Sequence, residues 1–250
     1  MLIQAVSGEV QIVLAVCAFY LYDACIALQA NEALMARSRS GWSCMLGADG
    51  FEMKRAFLRW PPPLFHQPVY VLAWQDSFAD LSGRSAAVRQ MAGHACSFGA
   101  FRIPLHVLAL ALFAMLPASL LWTHSDLIRL LAVALIYCCT VWLAVLTLRH
   151  GRQGHTPRHD ARSIALQILC CPPFALNVVR KLSLLQKYPC ELPQAAFQLL
   201  PAGPWQQLAS RLHCIAKTEL DQVRDLPGHG AQVEHLENVC AALRAHTVQE

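Results

Sequence analysis

Apolar residues run almost without interruption through residues 10–28, 103–122 and 127–148. A helix rises about 1.5 Å per residue, so a run of roughly 20 residues crosses a hydrocarbon core about 30 Å thick. The pattern therefore predicts a mainly α membrane protein with three transmembrane helices. A fourth apolar stretch, residues 164–179, has only 16 residues and is interrupted by Cys170-Cys171-Pro172-Pro173. Proline removes a backbone donor and clashes with the preceding helical turn. This stretch is expected to re-enter or to lie at the interface rather than to span.

Between the first two runs the period shortens. Residues 41–46 and 51–58 flank Gly47-Ala48-Asp49-Gly50, a turn-forming cluster between apolar segments that predicts a β-hairpin. The three prolines after Trp60 exclude helix and paired strand, and residues 69–74 read as a third strand. A sheet of about 35 residues cannot bury a core of its own. It is expected to rest on the membrane surface, on the C-terminal segment or on a partner. Residues 76–96 read as a helix, with Asp76 as N-cap and Gly83 as a weak point. In the tail, Trp205, Leu208, Leu212, Ile215, Ala216, Leu220 and Val223 recur at steps of three and four. After Pro227-Gly228-His229-Gly230, the residues Val233, Leu236, Val239, Cys240 and Leu243 repeat the pattern, which predicts a helical hairpin. Its apolar stripes either pack on the β-rich insertion or offer a docking face to another protein.

Composition agrees with lipid as the solvent: 56% of residues are hydrophobic and 14% charged, against the ~25% charged of an average soluble domain. The net charge of +4 matters less than its placement. Nineteen of the 20 Lys and Arg lie in residues 37–102, 149–162 and 180–244; the exception is Arg129, beside Asp126 at the expected outer edge. Basic residues are retained on the cytoplasmic side, so the rule places the N-terminus outside and the C-terminus in the cytoplasm, in the manner of a bacterial inner (plasma) membrane protein. A cleaved signal peptide fits the first run less well, because a basic n-region and a small-residue cleavage site are missing. The expected organisation is transmembrane helix 1 (10–30), a cytoplasmic β-rich insertion plus helix (31–102), a transmembrane hairpin (103–148), a basic loop with an interfacial or re-entrant segment (149–181), and a cytoplasmic helical tail (182–250).

Asp23 stands out as a carboxylate within the first run. Near a span centre it costs ~2.5–3.5 kcal/mol, while each Leu, Ile, Phe or Val returns only ~0.3–0.6 kcal/mol. Its nearest expected partner in depth is His106, so Asp23 and His106 form the candidate intramembrane polar site, either for protons or a cation or as a packing lock. Lys54, Arg55, Arg59 and Trp60, together with Arg149 and Arg152, are candidate contacts to lipid headgroups, where amphipathic rings and cations meet anionic lipid. The competing role for the rings is the core of the small sheet.

The 11 cysteines show no C-x-x-C spacing and read as reduced thiols. His150, His155, His159 and Asp160 are surrounded by arginines, which disfavours a metal; His106 and His150 facing each other are the one arrangement that would suit haem. Nucleotide loops, nucleophile elbows and H-E-x-x-H are absent. No catalytic residue, metal or cofactor is therefore assigned. The partners expected are membrane lipids and a protein partner or second copy, with no nucleic acid. These observations favour a non-enzymatic scaffold or assembly protein that presents a cytoplasmic domain. The alternatives are a small transporter or channel subunit using Asp23, and a lipid-modifying enzyme with His66, His94, His106 or His150 as base.

Overall fold

The structure is a computed structural model that describes residues 8–38, 40–53, 56–59, 66–74, 85–123, 125–154, 156–224 and 229–247. Helices dominate, with two small sheets set early in the chain. Helix α1 covers Gly8–Ala24 and stops four residues short of the apolar run. The run continues as strand β1, Ile26–Leu28. An unbroken apolar run has no period of its own, so it does not distinguish helix from buried strand.

The remaining strands are β2 (Glu32–Ser38), β3 (Gly41–Leu46), β4 (Phe51–Met53), β5 (Ala56–Arg59) and β6 (Val69–Ala73). They form two antiparallel sheets of order β1-β5-β4 and β3-β2-β6. The expected hairpin between residues 41–46 and 51–58 is thus corrected. β3 turns back on β2, with Ala33 opposite Leu46 and Met35 opposite Cys44, while β4 pairs with β5. Gly47-Ala48-Asp49 forms a 3-10 turn between the sheets. A Cβ on Gly47 would come within 2.4 Å of the Gln29 carbonyl, so the turn needs glycine for close backbone approach. The third strand falls where expected, as β6 on the far side of β2.

Helix α2 (Ala86–Ser97) starts at an N-cap, Ser85, whose hydroxyl accepts from the Val88 amide. The expected start at Asp76 lies outside the described residues. α2 runs on through a 3-10 turn into α3 (Arg102–Leu110), a π segment Ala111–Met115, the short α4 (Leu116–Ala118) and a second π segment Ser119–Thr123. Pro117 lies between the π segments and cannot donate to the helical ladder. Arg129 Nε donates to the Ser119 carbonyl at 3.3 Å, and Arg129 also pairs with Asp126 at 3.6 Å.

Helix α5 (Asp126–Arg152) returns alongside, and α6 (Arg158–Cys170) folds back on α5. The chain then breaks at Cys171, which is extended before Pro172, as sterics before proline require. Two short helices follow, α7 (Pro172–Ala175) and α8 (Val178–Leu184), so the fourth apolar stretch is divided where its prolines predict. The tail comprises α9 (Leu192–Leu199), α10 (Ala202–Val223) and α11 (Gly230–Thr247). Two helices, Ala86–Trp122 and Asp126–Arg152, are long and apolar enough to cross a membrane.

Three cores hold these parts. Ala33, Met35, Tyr70 and Leu72 on one face of the β3-β2-β6 sheet pack with Val88 and Met91 of α2, Leu192 of α9, Leu208 and Leu212 of α10 and Leu243 of α11. The insertion rests on the C-terminal segment, and the tail's apolar stripes are consumed in doing so. Leu34, Ala36 and Val69 on the other face pack with Ile26 and Leu28 of β1. The bundle core joins Tyr20 of α1, Leu105 and Leu108 of α3, Leu143 of α5, Ile168 of α6 and Leu182 of α8. On its outside, Ile103, Leu110, Trp122, Leu127, Leu130 and Trp142 are exposed.

Candidate functional site

The polar groups gather where the helical bundle meets the sheets, and the first of them is Asp23. It lies in the last turn of α1, one residue from its end, so it is not deep in the helix. A carboxylate opposes the partial negative charge of a helix C-terminus, and α7 and α8 supply the compensation. Lys181 Nζ lies 2.6 Å from Asp23 Oδ1, and Asn177 Nδ2 donates to Asp23 Oδ2 at 3.1 Å. Asn177 also donates to the Tyr20 carbonyl at 3.4 Å and accepts from Arg180 at 3.2 Å. Lys181 is further held by Gln167 Oε1 at 3.3 Å and by the face of Phe174 at 4.8 Å. The expected Asp23–His106 pairing is corrected: Asp23 is locked by the α7–α8 segment, because α1 ends earlier than its apolar run suggests.

His106 instead faces His66 across a cleft of about 550 Å³, which Arg37, Gln67, Cys96 and Arg102 also line. The two imidazoles meet edge to face with centroids 5.2 Å apart. His106 Nδ1 lies 2.6 Å from the Arg102 carbonyl and His66 Nδ1 lies 3.4 Å from the Leu176 carbonyl. A carbonyl only accepts, so each Nδ1 carries a proton. Burial drives His66 down to about 4, with the neighbouring His106 and Arg180 acting in the same direction against the Leu176 hydrogen bond. Its ring is neutral at physiological pH. Gln67 Oε1 is buried without a donor. Arg37 donates to the Ala92 carbonyl at 3.0 Å and to Cys96 Sγ at 2.9 Å. The cleft thus offers guanidinium charge beside the neutral His66 imidazole, a set suited to an anion that also carries a donor.

A second histidine pair lies behind the cleft. His94 of α2 and His150 of α5 are both buried, with Nε2 atoms 3.1 Å apart. In the neutral pair one Nε2 donates and the other accepts, so the two rings are opposite tautomers. Tyr70 Oη stands 3.5 Å from His94 Nδ1, and Phe98 packs on His150 with centroids 4.8 Å apart. Burial pushes the Tyr70 phenol upward and Tyr188 up to about 12. This node joins the sheet core to the bundle core. It also corrects the arrangement considered for haem, since His150 faces His94 and not His106. Among the described residues, no group of three or more His, Cys, Asp or Glu could hold a metal ion.

The other sequence candidates separate. Lys54, Arg55 and Trp60 lie outside the described residues. Arg59 pairs with Asp49 at 3.5 Å, and Arg211 of α10 reaches the same carboxylate at 2.7 Å, tying the first sheet to the tail. Arg149 is exposed in the last turn of α5, and Arg152 lines a groove beside α6. Sequence reasoning missed Arg37, Gln67, Asn177 and Lys181 as site residues. The one legible signal was Asn177, a polar residue inside an apolar stretch. No protein-family model matches this chain, and neither a characterised protein nor a solved structure matches it.

Proposed function

We propose that this chain is an integral membrane scaffold, with α1, the apolar part of Ala86–Trp122 and α5 crossing a bacterial inner membrane. In this reading a single cytoplasmic domain is presented to a partner protein. One observation carries it: Trp74 and the strands before it share a core with Leu192 and the helices after it. Segments that pack into one core occupy one compartment, so an even number of crossings separates them. The apolar part of Ala86–Trp122 and α5 supply two crossings, and the broken segment α6 to α8 then supplies none. That segment re-enters instead, along α5 and back to the sheet, where Ser183 Oγ accepts from the Val69 amide at 3.0 Å. The arginine-rich end of α5 faces the same side as this domain, in keeping with retention of basic residues in the cytoplasm. Helix α1, with 17 residues, covers about 25 Å at helical rise and fits a core thinned by a few Å.

Because the tail's apolar faces are already buried, a partner meets the polar outer faces of α10 and α11. The transporter reading loses its motive residue, since Asp23 is neutralised by Lys181. The enzymatic reading keeps one specific support, the cleft between His66 and His106 with Arg37 and Arg102 at its walls. Affinity purification of the intact chain in mild detergent, paired with lipid analysis of a deletion strain, separates the two. The scaffold reading expects one partner at near stoichiometry and an unchanged lipid profile. A chain purified alone, with a lipid species accumulating in the deletion strain, would replace it with the enzymatic one.

A further inference from the structure

Helices α5 and α6 approach closely at Gly151, where an added Cβ would lie 2.6 Å from the Cβ of Ala161. Between them opens a groove of about 530 Å³. Gly151, Ala161 and Ala165 lie along it with Leu148, Leu166 and Leu169, and among the described residues Arg152, Arg158 and Arg162 are the charged ones that line it. Leu166 is 64% exposed. We propose that this groove binds one anionic phospholipid of the inner leaflet, its phosphate between the three guanidiniums and an acyl chain against the leucines.

Electrostatics favour an anion here. Among the described residues none of the three arginines forms an ion pair within the chain. Arg158 and Arg162 stand four apart on α6, a like-charge spacing that destabilises a helix. Arg158 also opens that helix, where the macrodipole disfavours a cation. The one acidic residue of the first turn, Asp160, lies outside the groove lining, with its carboxylate 3.4 Å from His159. A phosphodiester relieves both costs, and guanidinium groups match its oxygens in bidentate fashion. The apolar lining favours a lipid over a free phosphate, because an acyl chain also packs on the leucines whereas a free phosphate engages the guanidiniums alone. A volume of this size accommodates a headgroup phosphate with part of one chain.

The inference rests on α5 being a membrane span, so the test separates the two. Delipidated full-length protein in detergent is titrated with dioleoyl phosphatidylglycerol, dioleoyl phosphatidylcholine and inorganic phosphate, and bound lipid is counted by native mass spectrometry. The wild type is expected to prefer phosphatidylglycerol by about tenfold over phosphatidylcholine, in line with the attraction of several basic side chains for anionic lipid. Millimolar inorganic phosphate should leave the bound lipid in place. The R152Q/R158Q/R162Q variant is expected to lose the preference while the all-lysine variant keeps part of it. Thermal unfolding of each variant establishes that it is folded, which the surface position of the arginines favours. Equal binding of the two lipids by wild type, an undiminished preference in the folded glutamine variant, or displacement by free phosphate would overturn the site. Alkaline extraction of the same membranes tests the span itself: a chain released into solution removes the premise, and an integrated chain without lipid preference removes only the groove.

Discussion

At the scale of single residues, pairing and burial govern the junction between sheets and bundle. Asp23 is offset by Lys181, Asn177 links Asp23 to Arg180, and the histidines share protons in pairs or donate to carbonyls. His66 gives this a measurable consequence. Burial holds its folded value at about 4, below the ordinary 6.5, so between those values the unfolded chain binds a proton that the folded chain does not. Stability from the neutral ring is full above pH 6.5 and is lost as pH falls toward 4. In detergent, the wild type should lose more melting temperature between pH 7.5 and pH 4.5 than His66→Gln. Equal losses in the two proteins would show that His66 does not titrate in this way. Subtracting one from the other removes the contribution of the remaining carboxylates.

At the scale of elements, the long helices were legible from the length of their apolar runs, and the tail hairpin from its steps of three and four. Of the amphipathic positions of α10 and α11, Trp205, Leu208, Leu212, Ala216, Val239 and Leu243 are buried in the core. Strand β2 was not legible. Ala33 and Met35 face one core while Leu34 and Ala36 face another, so it shows no polar alternation, and Ala is a poor strand former. β1 was concealed for a related reason, as the end of an apolar run that reads as helix. The site was legible only in part, because Asp23 and His106 were recognised singly while their partners depend on where α1 ends and how α7 and α8 return. Close helix approach can be tested directly. Gly151→Ala should destabilise the protein by about 1–3 kcal/mol, the usual cost of overpacking, as read from denaturant or thermal unfolding in detergent. Adding Ala161→Gly should restore most of that loss. A neutral single variant, or a double variant no better than the single, would contradict the packing at that crossing.

At the scale of the whole molecule, the chain places a helical bundle at one end and a composite domain at the other. Its two halves are separated in sequence by α3 to α8 and reunited by one core. Exposed Ile103, Leu110, Trp122, Leu127, Leu130 and Trp142 cover the bundle, and exposed apolar surface on this scale marks a lipid or protein contact. Placing both halves in one compartment is the claim on which the scaffold reading and the lipid groove both depend. The most direct measurement is a topology map, with a paired phosphatase and fluorescent-protein reporter inserted at Ser40 in the turn between β2 and β3, at Ser125, at Gly154 and after Thr247. The account predicts phosphatase activity at Ser125 alone and fluorescence at Ser40, at Gly154 and beyond Thr247. Phosphatase activity at Ser40, at Gly154 or at the C-terminal site, or one compartment for all four, would contradict it.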